Sequence, residues 1–354
     1  MGDTTVAAAP PTVTVRDVPV QRLSPRALGA AFTLLAGAVT AGLLFGPAGL
    51  PAAGVLHALV DAVPGIDLPG GLSDRQLSIL WQLRVPRVVL GGLVGGMLAI
   101  AGAGYQGVFR NPLADPYLLG VAAGAGLGAT LAIVTDLRAF GIPLAAFVGA
   151  VVAVAMTYVL GSRFGGRSSA SLILAGVAVA AFFTAMQTYV QQRHADTLQE
   201  VYGWLLGRLL TAGWNDIRTV LPYVAVASAV LLAHRRLLDV LTVGSDEARA
   251  LGVPAGRVRL AVVVAATLGT AAAVSVSGLI GFVGIVVPHT VRLLAGSSYR
   301  IILPLSLVVG AAGLIIADVV ARTAVAPGEL PIGVVTAFVG APFFLVVLRR
   351  WGAR

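Results

Sequence analysis

The chain has 354 residues, 58% of them hydrophobic and 11% charged, and 24 basic against 15 acidic residues give a net charge of +9. That is too little charge to cover the surface of a water-soluble domain. The long apolar runs also exclude a transmembrane β-barrel, which needs short alternating segments, so the composition predicts an all-α polytopic membrane protein. There is no cysteine and no lysine. Disulfides, thiol chemistry and a GxxxxGK[ST] phosphate loop are therefore excluded, and any ATP-driven work would fall to a partner. The positive charge does not point to nucleic acid, because the arginines lie at the ends of apolar runs and form no basic face.

Residues 1–26, rich in Ala, Pro, Thr and Val without a helical period, are expected to form a disordered cytoplasmic tail. The apolar run that follows Arg16, Arg22 and Arg26 is longer than a signal-peptide core, so it is read as a retained first span. Polar punctuation then divides residues 27–350, read as a single transmembrane domain, into ten spans. These fall near 27–45, 86–109, 117–134, 140–161, 170–190, 218–234, 258–276, 279–295, 301–322 and 332–348, each near the ~20 residues that cross a bilayer. With the tail inside, sixteen arginines fall on the cytoplasmic side and eight on the other. The positive-inside rule thus places both termini in the cytoplasm.

Within the second span Gly91, Gly95, Ala99 and Ala103 recur every fourth residue, a stripe that lets helix backbones approach closely in lipid. Asp115 and Pro116 suit the N-cap and first position of the third span, and Ser168 and Ser169 read as N-caps of the fifth. Between the fifth and sixth spans, a WLLG run with Trp204 and Trp214 predicts a short helix at the outer interface. The stretches GGLVGGMLAIAGAGYQGVF and ATLGTAAAVSVSGLIGFVG run in opposite directions in this topology, the arrangement of an inverted repeat.

The stretch 238–259, LDVLTVGSDEARALGVPAGRVR, is a charged interruption in an apolar sequence. Ser245 can cap a short helix, Asp246 and Glu247 suit its first turn, Gly252 supplies a left-handed stop and Pro254 follows. A surface helix punctuated in this way between membrane spans is a handle for another protein.

The ordered motifs LRVPRVVLGGLVGGMLAIAGAGYQGVFRNPLADPYLLG, SLILAGVAV, WLLGRL, SDEARALGV, SGLIGFVGIVVPHTVRLLAG, ADVVAR and ELPIGVVTAFVGAPFFLVVLRR resemble the FecCD permease family over about residues 75 to 350. The resemblance implies the ten-helix membrane subunit of an ATP-binding-cassette importer, working as a homodimer or a paralogous heterodimer in a bacterial cytoplasmic membrane. Two cytoplasmic ATPase subunits, which hold the ATP and magnesium, would drive it, and an extracytoplasmic substrate-binding protein would feed it. No cofactor or metal is implied in this chain, and no catalytic residue. The iron-siderophore class is the first expectation for the cargo, followed by haem and cobalamin.

Carried over residue by residue, the resemblance makes Gly244, Ser245, Asp246, Glu247, Ala248, Arg249, Ala250, Leu251 and Gly252 the loop that enters a cleft of the ATPase. It makes Arg84, Arg87 and Arg322 the outer-face arginines that receive acidic residues of the binding protein, and Ser168, Ser169 and Ala170 the cytoplasmic gate. Each has a plainer rival. Arg84 and Arg87 suit helix-end anchors that reach toward head groups, and Asp318 stands one turn before Arg322, where a local pair would occupy it. His289 invites a haem-ligand reading, but a lone histidine at a span terminus is more often structural. A transporter driven by an ion gradient would need paired ionisable groups near the midplane, for which Asp318 is the main candidate. An intramembrane protease is disfavoured by the absence of HExxH.

Overall fold

A computed structural model describes residues 23–62, 71–137, 141–164, 169–209, 213–326 and 328–352. Fifteen α-helices are found among them, and no strand. In chain order these are α1 (Pro25–Leu44), α2 (Ala52–Asp61), α3 (Asp74–Ile79), α4 (Val85–Phe109), α5 (Val121–Val134), α6 (Gly141–Phe164), α7 (Ser169–Arg193) and α8 (Leu198–Leu205). There follow α9 (Trp214–Ala233), α10 (Arg235–Leu241), α11 (Ser245–Ala250), α12 (Ala255–Ser277), α13 (Val283–Ala295), α14 (Tyr299–Thr323) and α15 (Ile332–Gly352). Each of the ten predicted spans coincides with one of these: α1, α4, α5, α6, α7, α9, α12, α13, α14 and α15. Among the described residues seven helices are long and apolar enough to cross a bilayer, while α5, α13 and the apolar part of α15 are shorter. The predicted tail lies, apart from its last four residues, outside the described residues, and α1 begins at Pro25.

The centre of the bundle is α4. Of the apolar stretch in the run Asp74–Phe109, 83% is buried, against 22% for α1 and 28% for the α7 stretch, so α4 is enclosed and the other two are peripheral. Its small residues make this possible. A Cβ on Gly95 would strike the Gly310 carbonyl, and one on Gly310 would strike Ala99 and the Gly95 carbonyl, so α4 and α14 touch backbone to backbone. In lipid, where burying apolar surface brings no gain, such close packing is the main source of association.

Three local features depart from ten plain helices. First, α3 and α4 are joined by a wide π-helical turn, Leu80–Arg84, and α3 begins at a capping box formed by Ser73 and Gln76. Second, Asp115 caps as expected, its Oδ1 accepting from Tyr117 N at 2.7 Å, but what it caps is a 3-10 turn, Pro116–Leu119, that ends at left-handed Gly120. The regular helix starts only at Val121.

Third, the predicted span 279–295 is not helical until Val283. Gly278 (φ 69°) and Phe282 (φ 68°) break the chain. Since α13 has 13 residues, about 20 Å, this irregular stretch lies within the bundle. Part of its backbone is bonded from outside: the Tyr117 hydroxyl donates to the Ile280 carbonyl (3.0 Å) and accepts from Ile280 N (3.1 Å), and Arg208 N donates to the Ser277 carbonyl (2.8 Å). Non-helical backbone survives at membrane depth only where it finds such partners.

Two glycines on α14 separate packing from propensity. Gly310 meets α4, whereas a Cβ on Gly313 would meet nothing within 4 Å. Gly310→Ala is expected to cost about 1–3 kcal/mol by overpacking, while Gly313→Ala should be neutral or slightly stabilising. Thermal unfolding in detergent checks the difference.

Candidate functional site at the two ends of α14

At one end of the bundle the chain leaves α10 and forms α11. Gly244 (φ 140°) occupies the N-cap position and Ser245 is the first helical residue, so the helix begins one residue earlier than the sequence suggests. Glu247 folds back so closely over Gly244 that a Cβ there would collide with its carboxylate. The helix ends in a Schellman motif: Gly252, at φ 77°, donates to the Arg249 carbonyl (2.9 Å), and Val253 N donates to the Ala248 carbonyl (2.9 Å). Ala248 is fully buried and ties the underside of the helix to the core. The upper side is open to solvent, with the side chains of Asp246 and Arg249 86% and 68% exposed and joined at 3.1 Å, and with Leu251 and Val243 exposed beside them. An ion pair this exposed contributes a few tenths of a kcal/mol. What the segment offers is a rigid, mixed apolar and charged knob.

Sequence reading missed a side chain on α10, the helix that leads into this knob. Asp239, on α10, accepts from Tyr299 N at 2.5 Å and from the Ser298 hydroxyl at 2.7 Å, and lies 3.4 Å from Arg300 Nε. It therefore caps α14 from another helix. From Tyr299 the polar contacts continue: Arg292 on α13 donates to the Tyr299 hydroxyl and to Gln106 on α4, each at 3.3 Å, and Gln106 donates to the Gly284 carbonyl at 3.3 Å. The chain of bonds ends beside the break before α13.

The opposite end of α14, about 37 Å away at 1.5 Å per residue, carries the three arginines. Two of them, Arg84 and Arg322, are buried, 4% and 2% exposed. The cause is the C-terminus of α1, whose last carbonyls have no partner within their own helix. Arg84 Nη1 donates to the Leu43 and Leu44 carbonyls (2.7 and 3.1 Å), its Nη2 donates to the Ala48 carbonyl, and Arg322 Nη2 donates to the Gly42 carbonyl (2.7 Å). Two guanidinium groups thus cap α1 from other helices, where the helix dipole also favours positive charge. Gly46 lies over both, and a Cβ on it would sit 3.2 Å from a nitrogen of each.

Arg87 alone of the three reaches the surface, its side chain 13% exposed. Its Nε donates to Asp318 Oδ1 (2.9 Å), and Nη1 and Nη2 donate to the two oxygens of Glu329 (3.1 and 2.8 Å). Asp318 also meets Arg322 Nε at 3.2 Å, the local pair expected from their spacing. With both oxygens engaged by arginines and a side chain 3% exposed, Asp318 has a structural partner set. Glu329 was not singled out in the sequence, where a lone acidic residue in a loop carries no signal.

Of the gate residues, Ser168 lies outside the described residues, Ser169 is the first residue of α7, and Ala170 is exposed. His289 is buried, its ring edge-on to Phe343 at 5.9 Å. Between α8, the break before α13 and α15 lies an apolar cavity of about 630 Å³, lined in part by Leu205, Leu279, Phe282, Val334, Phe338 and Pro342.

The FecCD transport family matches residues 34–350. The chain belongs to the FecCD family. Among its relatives are the cobalamin import system permease protein BtuC of Halobacterium salinarum, 42% identical over 79% of this chain and 75% of that one, and the ferric enterobactin transport system permease protein FepD of Escherichia coli, 38% identical over 90% and 93%. A solved inward-facing structure of a metal-chelate-type ABC transporter superposes with a TM-score of 0.81 at 30% identity, covering 92% of this chain and all of the other. This FecCD permease is therefore a transport component of an ABC importer, and ATP hydrolysis resides in separate chains.

The cap on α14 gives the FecCD permease a local test. Asp239→Ala should cost about 1 kcal/mol, the usual value of a lost N-cap, and speed hydrogen exchange at residues 299–302. Asp239→Asn, which keeps an acceptor, should lie between it and wild type.

Proposed function

We propose that this chain imports an iron-siderophore complex by alternating access. A partner ATPase would grip α11, and a substrate-binding protein would deliver the cargo at the opposite, arginine-bearing end. The observation that carries this reading is that α14 carries a charge cluster at one end and at the other is capped by Asp239 of α10, the helix that leads directly into the exposed α11. Closure of the ATPases would move α10 and α11, and the capped end of α14 would follow. Rigid transmission between packed helices needs such a tie.

The arginine count places α11 and both termini on the cytoplasmic side in this reading. A second copy of the chain would complete the path, which the uncovered apolar residues of α15, Phe338, Val339 and Leu345, and the adjoining cavity would line. The segment Ser168, Ser169 and Ala170 would narrow it at the cytoplasmic end. Delivery would rest on Arg87 at the rim, with Arg84 and Arg322 supplying positive charge from beneath. A cobalamin cargo is the second reading, favoured by the 42% identity to the Halobacterium protein.

Uptake into liposomes containing the chain, its ATPase and its binding protein, with ferric siderophore, haem and cobalamin offered separately, tests the cargo. ATP-dependent accumulation of the siderophore alone is expected, and accumulation driven by an ion gradient without ATP would overturn the importer mechanism. Replacing Glu247 and Arg249 by Ala should leave the fold intact and abolish most uptake while ATP hydrolysis continues. Arg87→Glu should weaken docking of the binding protein, with the loss shrinking as salt is raised.

A further inference from the structure

The arginine cluster carries its own carboxylates, and the two are not equivalent. Arg87 and Arg322 face Asp318 and Glu329, and with Arg84 on the neighbouring α1 carbonyls the cluster carries a formal +1. Asp318 is built into α14, has a side chain 3% exposed and joins two arginines. Glu329 stands in the connection between α14 and α15, has a side chain 15% exposed, and among the described residues pairs with Arg87 alone. Both of its oxygens lie on the two terminal nitrogens of Arg87, at 3.1 and 2.8 Å. That parallel, two-pronged contact is the geometry an incoming carboxylate from another protein would itself adopt.

We propose that Glu329 is an internal stand-in for an acidic side chain of the substrate-binding protein. It holds Arg87 in the undocked permease and yields that guanidinium when the partner arrives. The inference rests on the docking reading above and adds a competitor to it. The neighbouring backbone fits an exchangeable position: Leu330 N is anchored to the Ala321 carbonyl at 2.8 Å, so the loop stays in place, while Gly328 is exposed and the carboxylate lies at the rim.

The exchange replaces one carboxylate by another, so Arg87 is never left bare at an apolar rim. The apparent affinity of the partner is reduced by the fraction of time Glu329 occupies the site. The same competition discriminates against single anions, which offer Arg87 nothing that Glu329 does not already supply.

The sign of the effect of removing Glu329 decides the matter. In nanodiscs holding the permease with its ATPase, the cognate substrate-binding protein should dock about fivefold more tightly to Glu329→Gln than to wild type, the factor expected for releasing a partly exposed ion pair. The gain should disappear in an Arg87→Ala background, because the stand-in acts only through Arg87. Glu329→Asp, which is one methylene shorter, should fall between wild type and Gln and serves if the Gln variant is poorly folded. Unchanged or weaker docking to a Glu329→Gln permease with normal thermal stability overturns the stand-in while leaving the docking site itself intact. If Arg87→Ala alone leaves affinity unchanged, the docking reading fails, and the stand-in fails with it.

Discussion

Everything else in this structure hangs on the backbone contact between α4 and α14. In water two helices are driven together by their apolar faces; in lipid that drive is missing, and the helices must touch closely or not hold. Gly95 and Gly310 allow that touch, and a single methyl on either would meet a carbonyl of the other helix. With α4 enclosed and α14 fixed to it, the two ends of α14 become fixed points, and each carries one of the polar assemblies.

Both assemblies answer the same physical demand, that helix termini satisfy their backbone groups. At one end the free N–H groups of α14 meet Asp239 from α10; at the other the free carbonyls of α1 meet Arg84 and Arg322. Charges that would be costly alone in such a place are held by groups that need them. What remains uncovered is an exposed knob beside the first cap and a partly exposed arginine beside the second. The break before α13 follows a related rule, since its irregular backbone is bonded in part by the Tyr117 hydroxyl and by Arg208 N.

The arginines also show why a motif gives a residue its neighbourhood but not its direction. Arg84 and Arg322 stand at the end of the bundle where the topology puts them, yet they point inward, because the end of α1 is there to be capped. Nothing near Arg84 in the chain announces this, since its partners lie about forty residues away. Glu329 is the mirror case, a residue without any motif that the fold brings to Arg87 across more than two hundred residues.

The sequence alone determined the ten apolar spans, the lack of a GxxxxGK[ST] phosphate loop, the family, and the short helix closed by Gly252, because each is a matter of composition or of residues within a few positions of one another. Hydrophobic runs of bilayer length and a left-handed glycine need no tertiary contact to be read. The tertiary structure decided which arginines are buried, that Asp239 caps α14, that Glu329 occupies Arg87, and that the eighth span is broken before Val283. Those depend on which unpaired backbone groups and charges meet across the bundle, and that is set by packing between helices distant in the chain.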